Sequence, residues 1–169
     1  MIQKERFVKV NQFLTWPLIF VVLHLFLKIN IRGKENLEKI SSPVLFVSNH
    51  IAFYDSFLFR LVLGFNTLLL PLHFMAVKKF HSKTLNMLWA VGVIPVLYKI
   101  FGAFIIIEGQ GIKKGISKAR EIIRSGGNVV MYPEGMMVKS GVVGAFKRGA
   151  AVLASQTGVR VIPLSFRLG

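Results

Sequence analysis

Short apolar runs separated by Gly, Pro and charged residues dominate the hydrophobic pattern of this chain. Such runs predict buried strands, and they occur at residues 44–47, 103–107, 129–132 and 159–166. Segments with an acidic start, an apolar stripe or a Gly stop predict helices instead, at residues 55–64, 112–125 and 145–156. Because strands and helices alternate, the pattern predicts an α/β fold, with a largely parallel or mixed central sheet flanked by helices.

The N-terminal apolar segment, residues 13–27, contains no Lys, Arg, Asp or Glu. As a helix it would be about 23 Å long, which is short for a bilayer core of roughly 30 Å. Basic residues flank it on both sides, without the charge asymmetry that an oriented span requires. We therefore expect residues 1–29 to be a membrane-associating helical segment, in the interface or one leaflet, and residues 30–169 to be the α/β domain. A buried helix of a soluble core is the alternative.

Two further apolar runs, residues 61–77 and 85–107, have the hydropathy of membrane spans. Each is interrupted by Gly, Pro and a polar or basic residue, such as His73 in the first and Lys99 in the second. These interruptions favour short core elements joined by turns. A multi-span membrane protein is the alternative interpretation.

The composition joins high hydrophobicity to strong positive charge. Hydrophobic residues make up 53% of the 169 residues, and 22 basic against 7 acidic side chains give a net charge of +15. This combination favours membrane lipids, above all an anionic surface, as a partner. The sequence lacks zinc-finger spacing and any aromatic-basic recognition stretch, so we expect no nucleic-acid partner. With no Cys and no His pair at metal-ligand spacing, we also expect no metal and no thiol nucleophile.

His50 and Asp55, with four residues between them, are the main candidates for catalytic chemistry. They follow the predicted strand at 44–47, and ligand sites of α/β sheets gather where strands end. On one helix the two side chains would lie about 140° apart, so they meet only if the loop folds back and a helix begins near Asp55. Asp55 would then orient the imidazole, which takes a proton from a hydroxyl near neutral pH. The alternative is an ordinary loop His followed by a helix-capping Asp.

A second unusual turn, Tyr132-Pro133-Glu134-Gly135, ends the predicted strand at 129–132. Pro133 fixes the bend, while Gly135 permits an unusual backbone angle and close approach of a substrate. Main-chain N–H groups at this turn would stabilise a developing oxyanion. A plain strand-ending turn with a solvated Glu134 is the alternative.

Four segments of the chain resemble, in the same order, the motifs of the glycerolipid acyltransferases, the family of lysophosphatidic acid acyltransferase. Ser48-Asn49-His50 with Asp55 is similar to the first motif, and residues 130–135 resemble the Phe-Pro-Glu-Gly motif. Residues 145–151 resemble the Phe-Lys-x-Gly-Ala segment that follows, and residues 161–164 resemble the last motif. The resemblance covers roughly residues 30–166.

This resemblance implies a membrane-associated O-acyltransferase of phospholipid biosynthesis. His50 would be the general base on the acceptor hydroxyl and Asp55 its orienting partner, while Asn49, Glu134 and Gly135 would form the oxyanion and acyl-donor site. The donor would be the thioester of acyl-CoA or acyl carrier protein, a co-substrate used without any cofactor or covalent enzyme intermediate. The acceptor would be lysophosphatidic acid or a related lyso-lipid. We expect the protein on the cytoplasmic face of the inner (plasma) membrane.

Two departures from the family's pattern concern the phosphate of the acceptor. The family's Glu-Gly-Thr-Arg reads Glu-Gly-Met-Met here, with Met137 at the Arg position, and Glu108 stands where the second motif has Arg. Both arginines serve the phosphate in the family, and Met cannot make the bidentate contact of Arg. Lys78, Lys79 and Lys139 are the candidates to replace them as point charges. The alternative is an acceptor that has no phosphate there, such as an aminoacyl lyso-lipid or another hydroxylated lipid. An inactive lipid-binding member of the fold is the alternative function, and the domain is expected to be short at its C-terminus, where relatives continue.

Overall fold

A five-stranded sheet forms the centre of the computed structural model, which describes residues 2–52, 54–64, 66–76, 82–106, 109, 111–138 and 144–167. The strands are β1 (Val44–Ser48), β2 (Leu72–Ala76), β3 (Ala103–Ile105), β4 (Asn128–Met131) and β5 (Arg160–Leu164). Their order in the sheet is β3-β2-β4-β1-β5, and all neighbouring pairs are parallel. The predicted α/β fold with a parallel sheet is confirmed.

Helices lie between and before these strands. In the described part of the chain they are α1 (Ile2–Leu14), α2 (Trp16–Phe26), α3 (Asp55–Leu63), α4 (Lys83–Ala90), α5 (Val93–Phe101), α6 (Gly111–Gly115), α7 (Ser117–Arg124) and α8 (Gly149–Thr157). A short 3-10 turn at Lys34–Leu37 precedes β1. α8 ends at Gly158, whose φ of 65° is a left-handed conformation that terminates helices and favours Gly.

Both faces of the sheet are covered at its centre, and successive side chains of a strand point to opposite faces. In β1, Phe46 is buried on one face in a cluster with Phe59 of α3. Leu45 is buried on the other face, in a cluster with Ile122 of α7 and Leu153 of α8. β1 and β4 are parallel neighbours, so the loops that follow them meet at one edge of the sheet.

Several boundaries differ from the predicted ones. The helix expected over residues 112–125 is interrupted at Ile116, between α6 and α7, where Gly115 lowers helix propensity. The strands expected over residues 103–107 and 159–166 are shorter in the described structure. The apolar run at residues 61–77 contains the end of α3 and the whole of β2, as expected for short core elements.

The helix expected over residues 145–156 begins only at Gly149. The preceding segment runs alongside the Pro-Glu-Gly loop instead, and the N–H of Lys147 donates to the carbonyl of Pro133 at 2.8 Å. This hydrogen bond joins the segment before α8 to the loop after β4, a contact that the periodicity of the sequence does not predict.

The N-terminal apolar segment is divided between two helices rather than forming a single one. α1 ends at Leu14 and α2 begins at Trp16, with a bend of 45° between them. Pro17 at the start of α2 has no N–H with which to continue the hydrogen-bond ladder. α1 is attached to the sheet by Gln12, whose side chain bonds the N–H and the carbonyl of Leu72 at 2.9 and 2.7 Å.

Among the described residues, no individual helix has the length and apolar character needed to cross a bilayer, although two bent pairs reach the threshold when each is counted as a unit. One pair is α1 with α2, and the other is α4 with α5, bent by 81°. The expectation that the run at residues 85–107 packs in the core is wrong for α4 and α5, in which only Ile94 is buried. Met87 and Val96 of these helices are instead 60% and 56% exposed.

Candidate active site

The loop after β1 brings His50 and Asp55 into contact. Nδ1 of His50 lies 2.8 Å from Oδ2 of Asp55, which is the first residue of α3. The Asp55 side chain is fully buried, whereas 24% of the His50 side chain remains exposed. The predicted contact, with a folded-back loop and a helix that begins at Asp55, is confirmed.

The main chain of the same loop also holds the Asp55 carboxylate. Oδ2 accepts hydrogen bonds from the N–H groups of Ile51 and Ala52 at 2.7 and 2.9 Å. A capping Asp would accept from N–H groups of the first helical turn, and none of the hydrogen bonds that the structure describes for Asp55 is of that kind. The carboxylate therefore faces upstream, toward the imidazole, with three donors around one oxygen.

This contact assigns the tautomer of the imidazole. Nδ1 carries the proton that it donates to Asp55, which leaves the lone pair of Nε2 available. A neutral ring in this state accepts a proton at Nε2, and the carboxylate then stabilises the imidazolium that forms. The pair is arranged as a general base for a hydroxyl group.

Glu134, in the Pro-Glu-Gly loop after β4, is buried. The alternative interpretation, a plain turn with a solvated Glu134, is therefore wrong. Oε2 accepts from the main-chain N–H of His50 and Oε1 from that of Gly144, each at 3.1 Å. The N–H of Val138 donates to the carbonyl of His50 at 2.8 Å and joins the same two loops. The carboxylate thus fixes the backbone that carries the imidazole, while the role of Glu134 toward the acyl donor stays a prediction.

Gly135 adopts a left-handed conformation with a φ of 69°, which favours Gly. Its N–H donates to the carbonyl of Tyr132 at 3.0 Å and closes the turn. This N–H is engaged within the turn, and the part of the turn's main chain in stabilising an oxyanion stays a prediction. Close approach of a substrate to Gly135 stays a prediction.

Asn49 joins the loop after β1 to the segment after β5. Its Nδ2 donates to the carbonyl of Phe166, and its Oδ1 accepts from the N–H of Phe166, each at 2.8 Å. Both ends of the amide are engaged in this paired contact, which continues the β1–β5 pairing beyond the last strand residues. The part of Asn49 in the acyl-donor site stays a prediction.

Tyr132 is a member of the site to which the sequence alone assigns no role. Its ring stacks on the imidazole of His50, with centroids 4.3 Å apart and planes inclined by 17°. Burial raises the pKa of its hydroxyl above the ordinary value, and the negative charge of Asp55 acts in the same direction. The signal that points to Tyr132 is its place at the end of β4, beside the end of β1.

The structure does not describe the cations that were proposed for the acceptor's phosphate. Lys78, Lys79 and Lys139 lie outside the described residues, and so does Glu108. Met137 is described, and its side chain is 41% exposed at the position where the resembling motif has Arg.

Comparison with known proteins matches residues 28–167 to the family described as Acyltransferase. A chloroplastic 1-acyl-sn-glycerol-3-phosphate acyltransferase of Arabidopsis thaliana is 31% identical over 150 residues, which cover 86% of this chain. The 1-acyl-sn-glycerol-3-phosphate acyltransferase of Borreliella burgdorferi is 27% identical over 142 residues, which cover 82% of this chain. The chain spans 37% and 51% of the lengths of these two relatives.

A solved structure also resembles this fold. The crystal structure of the 1-acyl-sn-glycerophosphate (LPA) acyltransferase PlsC from Thermotoga maritima matches with a TM-score of 0.57 at 18% sequence identity. The match covers 92% of this chain and 54% of that one. At this identity it establishes the similarity of fold alone.

Proposed function

This chain belongs to the Acyltransferase family, and we propose that it transfers a fatty acyl group from a thioester donor to the hydroxyl of a lyso-lipid in phospholipid biosynthesis. The donor would be acyl-CoA or acyl carrier protein. The two relatives described above are named for 1-acyl-sn-glycerol 3-phosphate, which supports a phosphate-bearing acceptor of the lysophosphatidic acid type.

The contact between His50 and Asp55 is the observation that carries this proposal. Acyl transfer to an alcohol needs a group that removes the hydroxyl proton as the oxygen attacks. The contact of 2.8 Å leaves Nε2 as that group, and 24% exposure of the His50 side chain allows a substrate to reach it. A base of this kind contributes roughly a hundredfold to ten-thousandfold in rate.

The reaction then proceeds by addition of the acceptor oxygen and elimination of the thiolate. The acceptor oxygen forms a bond to the thioester carbonyl carbon while its proton moves to Nε2 of His50. The tetrahedral intermediate collapses, the bond between carbon and sulfur breaks, and the thiolate leaves with the proton returned from the imidazolium. The chain has no Cys and no Gly-x-Ser-x-Gly elbow to hold an acyl group, which favours direct transfer from donor to acceptor.

Membrane association is part of the proposal and is supported by exposed apolar side chains. On α2, Leu18, Leu25 and Phe26 are 67%, 73% and 80% exposed. α1 packs against α2 and α5, and α5 packs against α4, so the exposed apolar side chains belong to one connected group of helices. The whole chain carries a net charge of +15, so we propose that this apolar surface binds an anionic leaflet on the cytoplasmic side of a membrane.

The same helix group also contacts α3, the helix that begins at Asp55. The ring of Phe57, in the first turn of α3, lies edge-on to the ring of Phe101 at the end of α5, with centroids 5.5 Å apart. An acyl chain that leaves the bilayer along these helices would arrive close to Asp55, which is two residues before Phe57.

The proposal is tested by supplying the purified chain, in anionic lipid vesicles, with acyl-CoA or acyl carrier protein and a panel of lyso-lipids. Mass spectrometry of the products identifies the acceptor, the donor and the acyl length. We expect acylated lysophosphatidic acid from the wild type and at least a hundredfold less from His50→Ala. Equal product from both proteins would reject a catalytic His50, and specific lipid binding without product would favour the inactive lipid-binding alternative.

A further inference from the structure

Lys147 lies against the Pro-Glu-Gly loop although its side chain is exposed. Its N–H donates to the carbonyl of Pro133, which fixes the residue beside the loop. From there the side chain runs across Gly135. A Cβ built on Gly135 would lie 2.9 Å from Cδ and 2.7 Å from Cε of Lys147, and closer still to Nζ. The ammonium group therefore ends at the main chain of the Pro-Glu-Gly loop, whose Glu134 accepts the main-chain N–H of His50.

The position of this ammonium group is not explained by a neighbouring acid. No ion pair among the described residues includes Lys147. Glu134, the acid of the same loop, gives both carboxylate oxygens to main-chain N–H groups. Met136 and Met137, which follow Gly135, carry no charge. A positive charge is thus held at the Pro-Glu-Gly loop without an anionic partner from the described part of the chain.

We infer that Lys147 binds the phosphate of the acceptor and so selects a phosphate-bearing lyso-lipid over a neutral one. This inference rests on the proposed function. Glu134 links the two parts of the site, because its carboxylate binds the N–H of His50 and its neighbour Gly135 is crossed by Lys147. A few covalent bonds separate the phosphorus of such a lipid from the hydroxyl that is acylated, so a phosphate held at Gly135 places that hydroxyl near the base.

Because Gly135 has no side chain, the Lys147 side chain can lie directly against the main chain of the loop. Any Cβ there would occupy the path of the Lys147 side chain and displace the ammonium group. Lys is a compact point charge with three donors, so it attracts a phosphate without the fixed bidentate orientation of Arg. The prediction is therefore an effect on acceptor affinity that Arg at the same position largely preserves.

Steady-state kinetics of Lys147→Met, Lys147→Arg and the wild type test the inference with two acceptors of the same acyl chain, lysophosphatidic acid and monoacylglycerol. Lys113→Met, an exposed cation of α6, is the matched control. We expect Lys147→Met to raise the KM for lysophosphatidic acid by about tenfold or more while kcat changes less than about threefold. Lys147→Arg should restore the KM, and monoacylglycerol should be unaffected.

Three results would overturn the inference. An unchanged KM for lysophosphatidic acid would remove the phosphate contact. An equal loss with monoacylglycerol would make Lys147 a structural residue of the loop. A raised KM for acyl-CoA, with the acceptor KM unchanged, would assign the charge to the phosphates of the donor.

A binding measurement separates this inference from the proposed function. Glycerol 3-phosphate is titrated into His50→Ala and into the double variant His50→Ala/Lys147→Met, with NMR chemical shifts as the readout. Binding at least about tenfold weaker in the double variant supports the inference even if no protein forms acylated product, in which case only the proposed function fails. Equal binding by the two variants, or no binding by His50→Ala, overturns it.

Discussion

Glu134 holds the backbone of His50: its buried carboxylate accepts the His50 N–H at 3.1 Å. The second oxygen of the carboxylate accepts the N–H of Gly144 at the same distance. One side chain therefore joins the loop after β1, the loop after β4 and the segment before α8. The position of the imidazole relative to its substrate depends on this junction.

Glu134→Gln places an NH₂ group against one of two N–H donors that both need an acceptor. We expect a loss of about 1–3 kcal/mol in the free energy of unfolding, since a buried donor loses its partner. We also expect kcat to fall by about tenfold or more, because a small displacement of the base slows the chemical step. Urea denaturation and acyl-transfer rates check both effects. Glu121→Gln, at an exposed ion pair with Lys118 on α7, is the control, and equal effects of the two substitutions would contradict the prediction.

Tyr132 provides a prediction for alkaline pH. Burial raises the pKa of its hydroxyl above the ordinary value of 10.0, so the folded state keeps a proton that the unfolded chain releases. The neutral phenol contributes its stability fully below about pH 10, and the contribution is lost as the pH rises toward the folded-state pKa. Tyr132→Phe should therefore lessen the fall of stability above pH 10, by at most about 1.4 kcal/mol per pH unit. Thermal unfolding across this range, with wild type in parallel, checks it, and identical slopes would count against a buried neutral Tyr132.

The sequence predicts best those contacts that connect residues close together along the chain. The contact between His50 and Asp55 spans five positions. The apolar runs that predict β1 and β4 directly precede the loop of His50 and the Pro-Glu-Gly loop. The contacts that complete the site connect distant residues: Glu134 is 84 positions from His50, and Phe166 is 117 positions from Asn49. Such pairs follow from the order of strands in the sheet, and periodicity in a single sequence does not contain that order.

The N-terminal helices show the same limit. Hydropathy identifies residues 13–27 as apolar but does not distinguish the residues that dock on the sheet from those that face outward. Gln12, a polar residue just before this run, forms the attachment of α1 to the sheet and is 4% exposed. Its side chain bonds the N–H and the carbonyl of Leu72 and also donates to the carbonyl of Phe101 at 2.9 Å.

Gln12→Met tests the attachment of α1. The substitution keeps the size of the side chain but leaves polar groups of Leu72 and Phe101 without their partner, which we expect to destabilise the fold by about 2–4 kcal/mol. Gln3→Met, at an exposed position of the same helix, should be close to neutral. Chemical denaturation of the two variants measures the difference. Equal stability of both variants would show that α1 is not held through Gln12.

The exposed side chains of α2 give a prediction for membrane binding. Replacing Leu18, Leu25 and Phe26 by Ser removes apolar contacts worth about 1.5 kcal/mol or more each in a lipid environment. Binding to vesicles that contain anionic lipid should weaken by at least about a hundredfold, and high salt should weaken it further because the chain is basic. Leu68→Ser, at a 67% exposed position outside α2, is the control. Co-sedimentation with vesicles measures both, and unchanged binding of the triple variant would exclude α2 as the contact.

A double-mutant cycle on His50 and Asp55 measures whether the two side chains act together as one general base. In this account Asp55 acts on the reaction only through the ring of His50, so once His50 is replaced by Ala, changing Asp55 to Asn has no further effect on kcat. We expect His50→Ala to lower kcat by about a hundredfold to ten-thousandfold and the double variant to match it, with unfolding measured in parallel to confirm folded protein. Losses that multiply in the double variant, or a His50→Ala enzyme with the wild-type kcat, would contradict the account.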